Sequence, residues 1–233
     1  MPKRALIFAS IVSLSGAGVV VAALLAWPPQ MLGLLLVSAT LAFLAATMKV
    51  QIPGMTGAIS PVGVPLLFAA GTLGWQGAAV MAAAAGILQC VWRPRVRPTP
   101  IQIAFNGAVL ALGVGLAVQG ANLVTAPGSL VWYVAAALVF QISNVLLVSV
   151  VLSLLGEGVS LGSLWRNCHL WSFPYELAAG VFAGLWAEAG PFTASGLTAL
   201  VTISLAAALL YLMSMFYREI ANRGGSGREL GAQ

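Results

Sequence analysis

Residues 129–155 read SLVWYVAAALVFQISNVLLVSVVLSLL, a run with no charged side chain. At about 1.5 Å of rise per residue, a helix of this length outreaches a bilayer hydrocarbon core of roughly 30 Å. A transmembrane barrel strand would be about ten residues long and would alternate in polarity. This run is continuously apolar, so it reads as a spanning helix.

The rest of the chain has the same character. Of its 233 residues, 61% are hydrophobic and 6% charged, and the mean hydropathy is +1.01. A soluble domain carries about 25% charged residues, so this composition cannot cover a water-facing globule. It excludes a water-soluble enzyme, a disordered protein and a nucleic-acid-binding module. The fold class expected is all-α: a polytopic transmembrane bundle of about eight spans (six to eight) with short helices broken by Pro and Gly. The spans predicted are 6–27, 31–48, 61–75, 76–92, 101–123, 129–155, 172–188 and 193–217. Residues 1–217 then form one membrane domain, and 218–233, with Arg223-Gly224-Gly225-Ser226-Gly227, a flexible cytoplasmic tail.

Charge placement sets the expected orientation. With the N-terminus in the cytoplasm, Lys3, Arg4, Lys49, Arg93, Arg95, Arg97, Arg166, Arg218, Arg223 and Arg228 all fall on that side, as the positive-inside rule requires. The outside loops 27–30, 122–129 and 188–193 contain no Lys or Arg. Even span counts keep this partition and odd ones split it. Trp27, Trp75, Trp132 and Trp186 fall at predicted outer ends, and Trp92, Trp165 and Trp171 at inner ends, the headgroup level that indoles favour. The first span is too long for a cleaved signal peptide and Trp27-Pro28-Pro29 suits no cleavage, so it reads as an uncleaved anchor. The localisation expected is the bacterial inner (plasma) membrane, multi-pass.

Few residues could carry chemistry. Cys90 and Cys168 lie near the cytoplasmic face, where thiols stay reduced. Cys168-His169 has no metal-binding spacing, so neither metal nor cofactor is expected. Two stretches instead attract notice. Residues 49–60 lead to Pro61 and Pro65, and 165–172 lead to Phe173-Pro174-Tyr175-Glu176. Proline removes a donor and restrains the residue before it, and irregular backbone at membrane depth persists only where protein or trapped water satisfies it. Short Pro-broken segments in two halves point to a binding site, although Ser60-Pro61 against Phe173-Pro174 is a thin basis for an internal repeat.

Glu176 is the only carboxylate placed inside a span; such residues mark functional paths or pair with a neighbour, here Arg166. Tyr175 is its neighbour, and a second group is amide-rich: Gln89 on the fourth span, Gln102 and Asn106 on the fifth, and Gln141 and Asn144 on the sixth. These read either as interhelical hydrogen bonds or as a polar pocket for a small ligand. Arg93, Arg95, Arg97 and Arg166 read as contacts to anionic lipid or to a cytoplasmic partner. Gly107, Gly113, Gly115 and Gly120 thin the fifth span, and Ser195, Ala199, Thr202 and Ala206 line the eighth. Both are packing features.

Three stretches together carry a resemblance: Ile52-Pro53-Gly54 through Ser60-Pro61 to Gly74, Leu88-Gln89-Cys90-Val91-Trp92-Arg93-Pro94 through Gln102 to Asn106, and Trp165-Arg166-Asn167-Cys168 through Ser172-Phe173-Pro174. Over roughly 30–190 the chain resembles the multi-span sensory module that precedes bacterial cyclic-dinucleotide signalling domains of the GGDEF and HD types. The resemblance implies sensing at or within the membrane. The 16 residues after 217 hold no such signalling domain, as expected of a piece of a longer protein, of a stand-alone relative that signals through a partner, or of a chain that shares only the membrane fold. The architecture also looks like that of substrate-binding membrane subunits of vitamin transporters. The expected function is therefore a non-catalytic sensory or ligand-binding module, signalling through a cytoplasmic partner and binding a small molecule or lipid. The alternatives are a small-solute transporter, or a transporter subunit with an ATPase partner, and a lipid-acting membrane enzyme using Glu176 and His169.

Overall fold

The computed structural model describes residues 1–27, 32–48, 50–51, 58–94, 96–156, 162, 172–188 and 215. Seven helices account for most of them: α1 (Lys3–Leu25), α2 (Leu32–Thr47), α3 (Gly63–Thr72), α4 (Gly74–Val91), α5 (Pro100–Asn122), α6 (Leu130–Leu154) and α7 (Phe173–Glu188). Four of them, α1, α4, α5 and α6, are long and apolar enough to cross a membrane. The protein is a multi-pass membrane bundle. The predicted span at 193–217, the tail, and Lys49, Arg95, Arg166, Cys168 and His169 lie outside the described residues, apart from Met215.

Local chemistry sets the helix ends. Thr99 opens α5 with a capping box, its backbone N–H and hydroxyl donating to Gln102 Oε1 at 2.8 and 3.0 Å, with Pro100 in the first turn. Ser129 opens α6, its Oγ accepting from the Trp132 N–H at 3.2 Å. Between α3 and α4 the chain reverses at Leu73-Gly74, where Gly74 has φ +71°, a value only glycine adopts without strain.

That turn corrects the span predicted over 61–75. Helix α3 has 10 residues, about 15 Å of rise and half a bilayer core. Hydropathy registers its apolar residues and cannot register that both ends are broken. The all-α expectation holds, with one small addition: β1 (Val50–Gln51) and β2 (Ala58–Ile59) pair antiparallel, Val50 facing Ile59. This small ribbon leads directly into α3.

Contacts give the helix directions. Phe8 meets Phe105 and Gly16 meets Ala108, so α1 and α5 run parallel. Cys90 lies by Asn106, making α4 antiparallel to α5, and Asn122 by Trp132, making α6 antiparallel to α5. Gly180 and Gly184 of α7 pack on Ala137 and Leu130 of α6, again antiparallel. Helix α3 lies parallel to α7, with Gly63 by Glu176 and Phe68 stacked on Trp186 at 4.2 Å. The starts of α1, α3, α5 and α7 thus share one end of the bundle with the C-termini of α4 and α6.

Small residues allow these approaches. A Cβ on Gly86 would lie 2.6 Å from the Asn106 carbonyl oxygen, and one on Gly107 would lie 3.1 Å from that of Ala83, so α4 and α5 touch backbone to backbone. Helix α3 occupies the centre, with every residue from Gly63 to Ala70 buried, as expected of a helix apolar on all sides. Leu66, Leu67 and Phe68 join Trp132, Tyr133 and Phe140 in the main core. Trp132 and Trp186, at the ends of α6 and α7, are buried against neighbouring helices. Trp132 Nε1 donates to Asn122 Oδ1 at 2.8 Å, which gives the indole a polar partner inside the protein.

Candidate functional site

The starts of α3 and α7 meet. Ser60-Pro61 precedes α3 and Ser172 precedes α7, and α4 and α6 each send one amide to them. Gln89 Nε2 donates to Ser60 Oγ, and Gln141 Nε2 donates to Ser172 Oγ. The Tyr175 hydroxyl reaches the Ser60 carbonyl at 3.5 Å, a long contact that bridges the two starts. Within α7, the Glu176 N–H donates to the Ser172 carbonyl at 3.0 Å, closing the first turn.

Glu176 stands at the centre of this junction. It is 8% exposed, and its carboxylate packs against Gly63, the first residue of α3, where a Cβ would collide with Oε2. Oε2 has no hydrogen-bond partner among the described residues. The carboxylate belongs to the first turn of α7 and faces the first turn of α3, so two helix N-termini direct their positive ends toward it. Such an arrangement places a carboxyl group in a low-dielectric site, with an oxygen unpartnered among the described residues that it can offer to a cationic or hydrogen-bond-donating group.

The predicted site residues therefore divide. Gln89, Gln141, Tyr175 and Glu176 gather at the α3–α7 junction. Asn144 is half-buried one turn along α6 from Gln141. Gln102 and Asn106 depart from a single shared pocket: both are exposed, Gln102 is engaged as the α5 cap, and Asn106 Nδ2 donates to the Gln102 carbonyl at 2.8 Å. Arg93 and Arg97 are exposed between α4 and α5. Ser60, Ser172 and Gly63 were not among the candidate binding residues in the sequence. A serine shortly before a Pro-initiated helix is the signal that could have marked the first two; nothing marked Gly63.

Among the described residues, no three His, Cys, Asp or Glu side chains cluster to hold a metal. Comparison with known proteins finds no family model, no curated protein and no solved structure that matches the chain.

Proposed function

We propose that this chain is a membrane ligand-binding module of the sensory kind, a multi-pass protein of the inner membrane with both ends in the cytoplasm. The reading is supported chiefly by the α3–α7 junction, where two short helices begin around a buried carboxylate with an oxygen unpartnered among the described residues. Intramembrane carboxylates are costly and mark functional paths. A ligand meeting Glu176 would alter the contact between the starts of α3 and α7. Both helices begin at the same end of the bundle, so the change would pass to that end and to a signalling partner there. The sequence resemblance to GGDEF- and HD-linked sensory modules agrees with this role.

Native mass spectrometry of the full chain, released from membranes in mild detergent, tests it. A small molecule retained by the wild-type protein and lost from Glu176→Gln supports the reading; equal retention by both proteins sinks the site. Discontinuous short helices also favour a second reading, a solute transporter or its binding subunit. Solute uptake into proteoliposomes that disappears in Glu176→Gln would select that alternative.

A further inference from the structure

The turn from α4 to α5 builds a separate feature, an open groove of about 260 Å3 lined by Cys90, Val96, Arg97, Pro98, Gln102 and Asn106. Its hydrogen-bonding ends are set by the helix cap. Gln102 Oε1 is taken by Thr99, which leaves the Nε2 donor end of that amide available to the groove. Asn106 Nδ2 is taken by the Gln102 carbonyl and reaches Cys90 Sγ at 3.6 Å, which leaves Oδ1 as an acceptor. With the Arg97 guanidinium, the groove offers a cation, a neutral donor and a neutral acceptor. That combination suits a phosphate carrying a neighbouring hydroxyl or ammonium group.

The surroundings point to the source. Trp92, two residues after the groove-lining Cys90, is 41% exposed, with the Arg93 guanidinium 5.7 Å from its ring centre, a pairing that suits headgroup level. Arg93 holds φ +43°, a conformation non-glycine residues rarely adopt, and this bends the chain back toward α5. Farther along α4, Ile87 and Val91 are each 43% exposed, and Ile87 lies over Gly107 at the α4–α5 crossing. Apolar surface thus runs from the groove toward the hydrocarbon. A soluble phosphate would have no use for it.

We infer that this groove binds the phosphate headgroup of one anionic membrane lipid, with its acyl chains along Ile87 and Val91. The site stands apart from the Glu176 junction and does not depend on the sensory reading.

Cys90 lines the groove, so its labelling by a neutral maleimide reports occupancy. The full chain carrying Cys168→Ser is reconstituted in nanodiscs of phosphatidylcholine, with or without phosphatidylglycerol. Phosphatidylglycerol is expected to slow labelling about tenfold, as one charge-assisted headgroup contact implies. Arg97→Gln abolishes this protection, whereas Arg4→Gln, at the same end of the bundle but outside the groove, keeps it. Native mass spectrometry should show one phosphatidylglycerol retained by the parent and lost from Arg97→Gln. Protection that survives Arg97→Gln, or falls equally in Arg4→Gln, overturns the inference in favour of general surface charge. Protection in phosphatidylcholine discs by inorganic phosphate alone, or by an acidic peptide, overturns it in favour of a soluble anion or a protein partner.

Discussion

Glu176 is held by geometry rather than by a counter-ion among the described residues. Each helix N-terminus stabilises a nearby negative charge by about 0.3–1 kcal/mol, whereas insertion scales put a charged side chain at mid-membrane at roughly 2.5–3.5 kcal/mol. Two helix ends therefore offset some of that cost, and a site near the membrane boundary reduces the remainder. The tight approach to Gly63 makes the contact testable. Gly63→Ala drives a methyl group into Oε2 and should lower the melting temperature in detergent, while in a Glu176→Ala background it should be tolerated. A double-mutant cycle is expected to give a coupling of about 0.5–3 kcal/mol; additive effects would mean that the carboxylate does not pack there. The Trp132–Asn122 bond is a second residue-level test. Asn122→Ala leaves a fully buried indole N–H without its acceptor, which costs about 1–3 kcal/mol. Trp132→Phe in the Asn122→Ala background should recover some of that loss, since it removes the stranded donor.

Elements were legible where one physical signal dominates. Helices α5 and α6 fall within a residue or so of the predicted spans 101–123 and 129–155, because a long apolar run meets Thr99-Pro100 or Ser129 at its start. Helix α3 was not, since its length is set by a proline-broken start and a glycine turn that hydropathy averages away. The fate of Trp132 and Trp186 was equally hidden: an indole at a helix end suits a headgroup or a buried partner, and a one-dimensional pattern does not say which neighbour it has. For the site, Gln89, Gln141, Tyr175 and Glu176 were visible as polar residues in apolar runs. Their separation from Gln102 and Asn106 was not, because it depends on which side of the α4–α5 crossing each amide faces. That crossing carries its own prediction. Gly86→Leu must push the touching backbones of α4 and α5 apart and should destabilise by about 1–3 kcal/mol or more. Gly18→Leu on α1, where a Cβ meets nothing within 4 Å, should stay within about 0.5 kcal/mol of the parent. Equal thermal shifts for these variants would contradict the packing described.

At the scale of the whole molecule, helix direction and charge agree. The starts of α1, α3, α5 and α7 lie at one end, and the described cations Lys3, Arg4, Arg93 and Arg97 are all found there. The opposite end, at Trp27, Gly74, 122–129 and Glu188, carries no Lys or Arg among the described residues. Cationic loops resist translocation, so the Arg-bearing end is expected in the cytoplasm. Helix α7 then runs outward, as α1 does, and one more crossing is needed to return Arg218, Arg223 and Arg228 to the basic side. In a chain carrying Cys90→Ser and Cys168→Ser, Ala126→Cys between α5 and α6 should react with a membrane-impermeant maleimide in intact spheroplasts. Ser226→Cys in the tail should react only after the membrane is opened. If both Ala126→Cys and Ser226→Cys react in sealed spheroplasts, the crossing number is odd and the tail lies outside. Reaction at Ser226→Cys but not at Ala126→Cys would invert the bundle, place the Glu176 junction on the outer side, and leave the cytoplasmic readout proposed for it without a route.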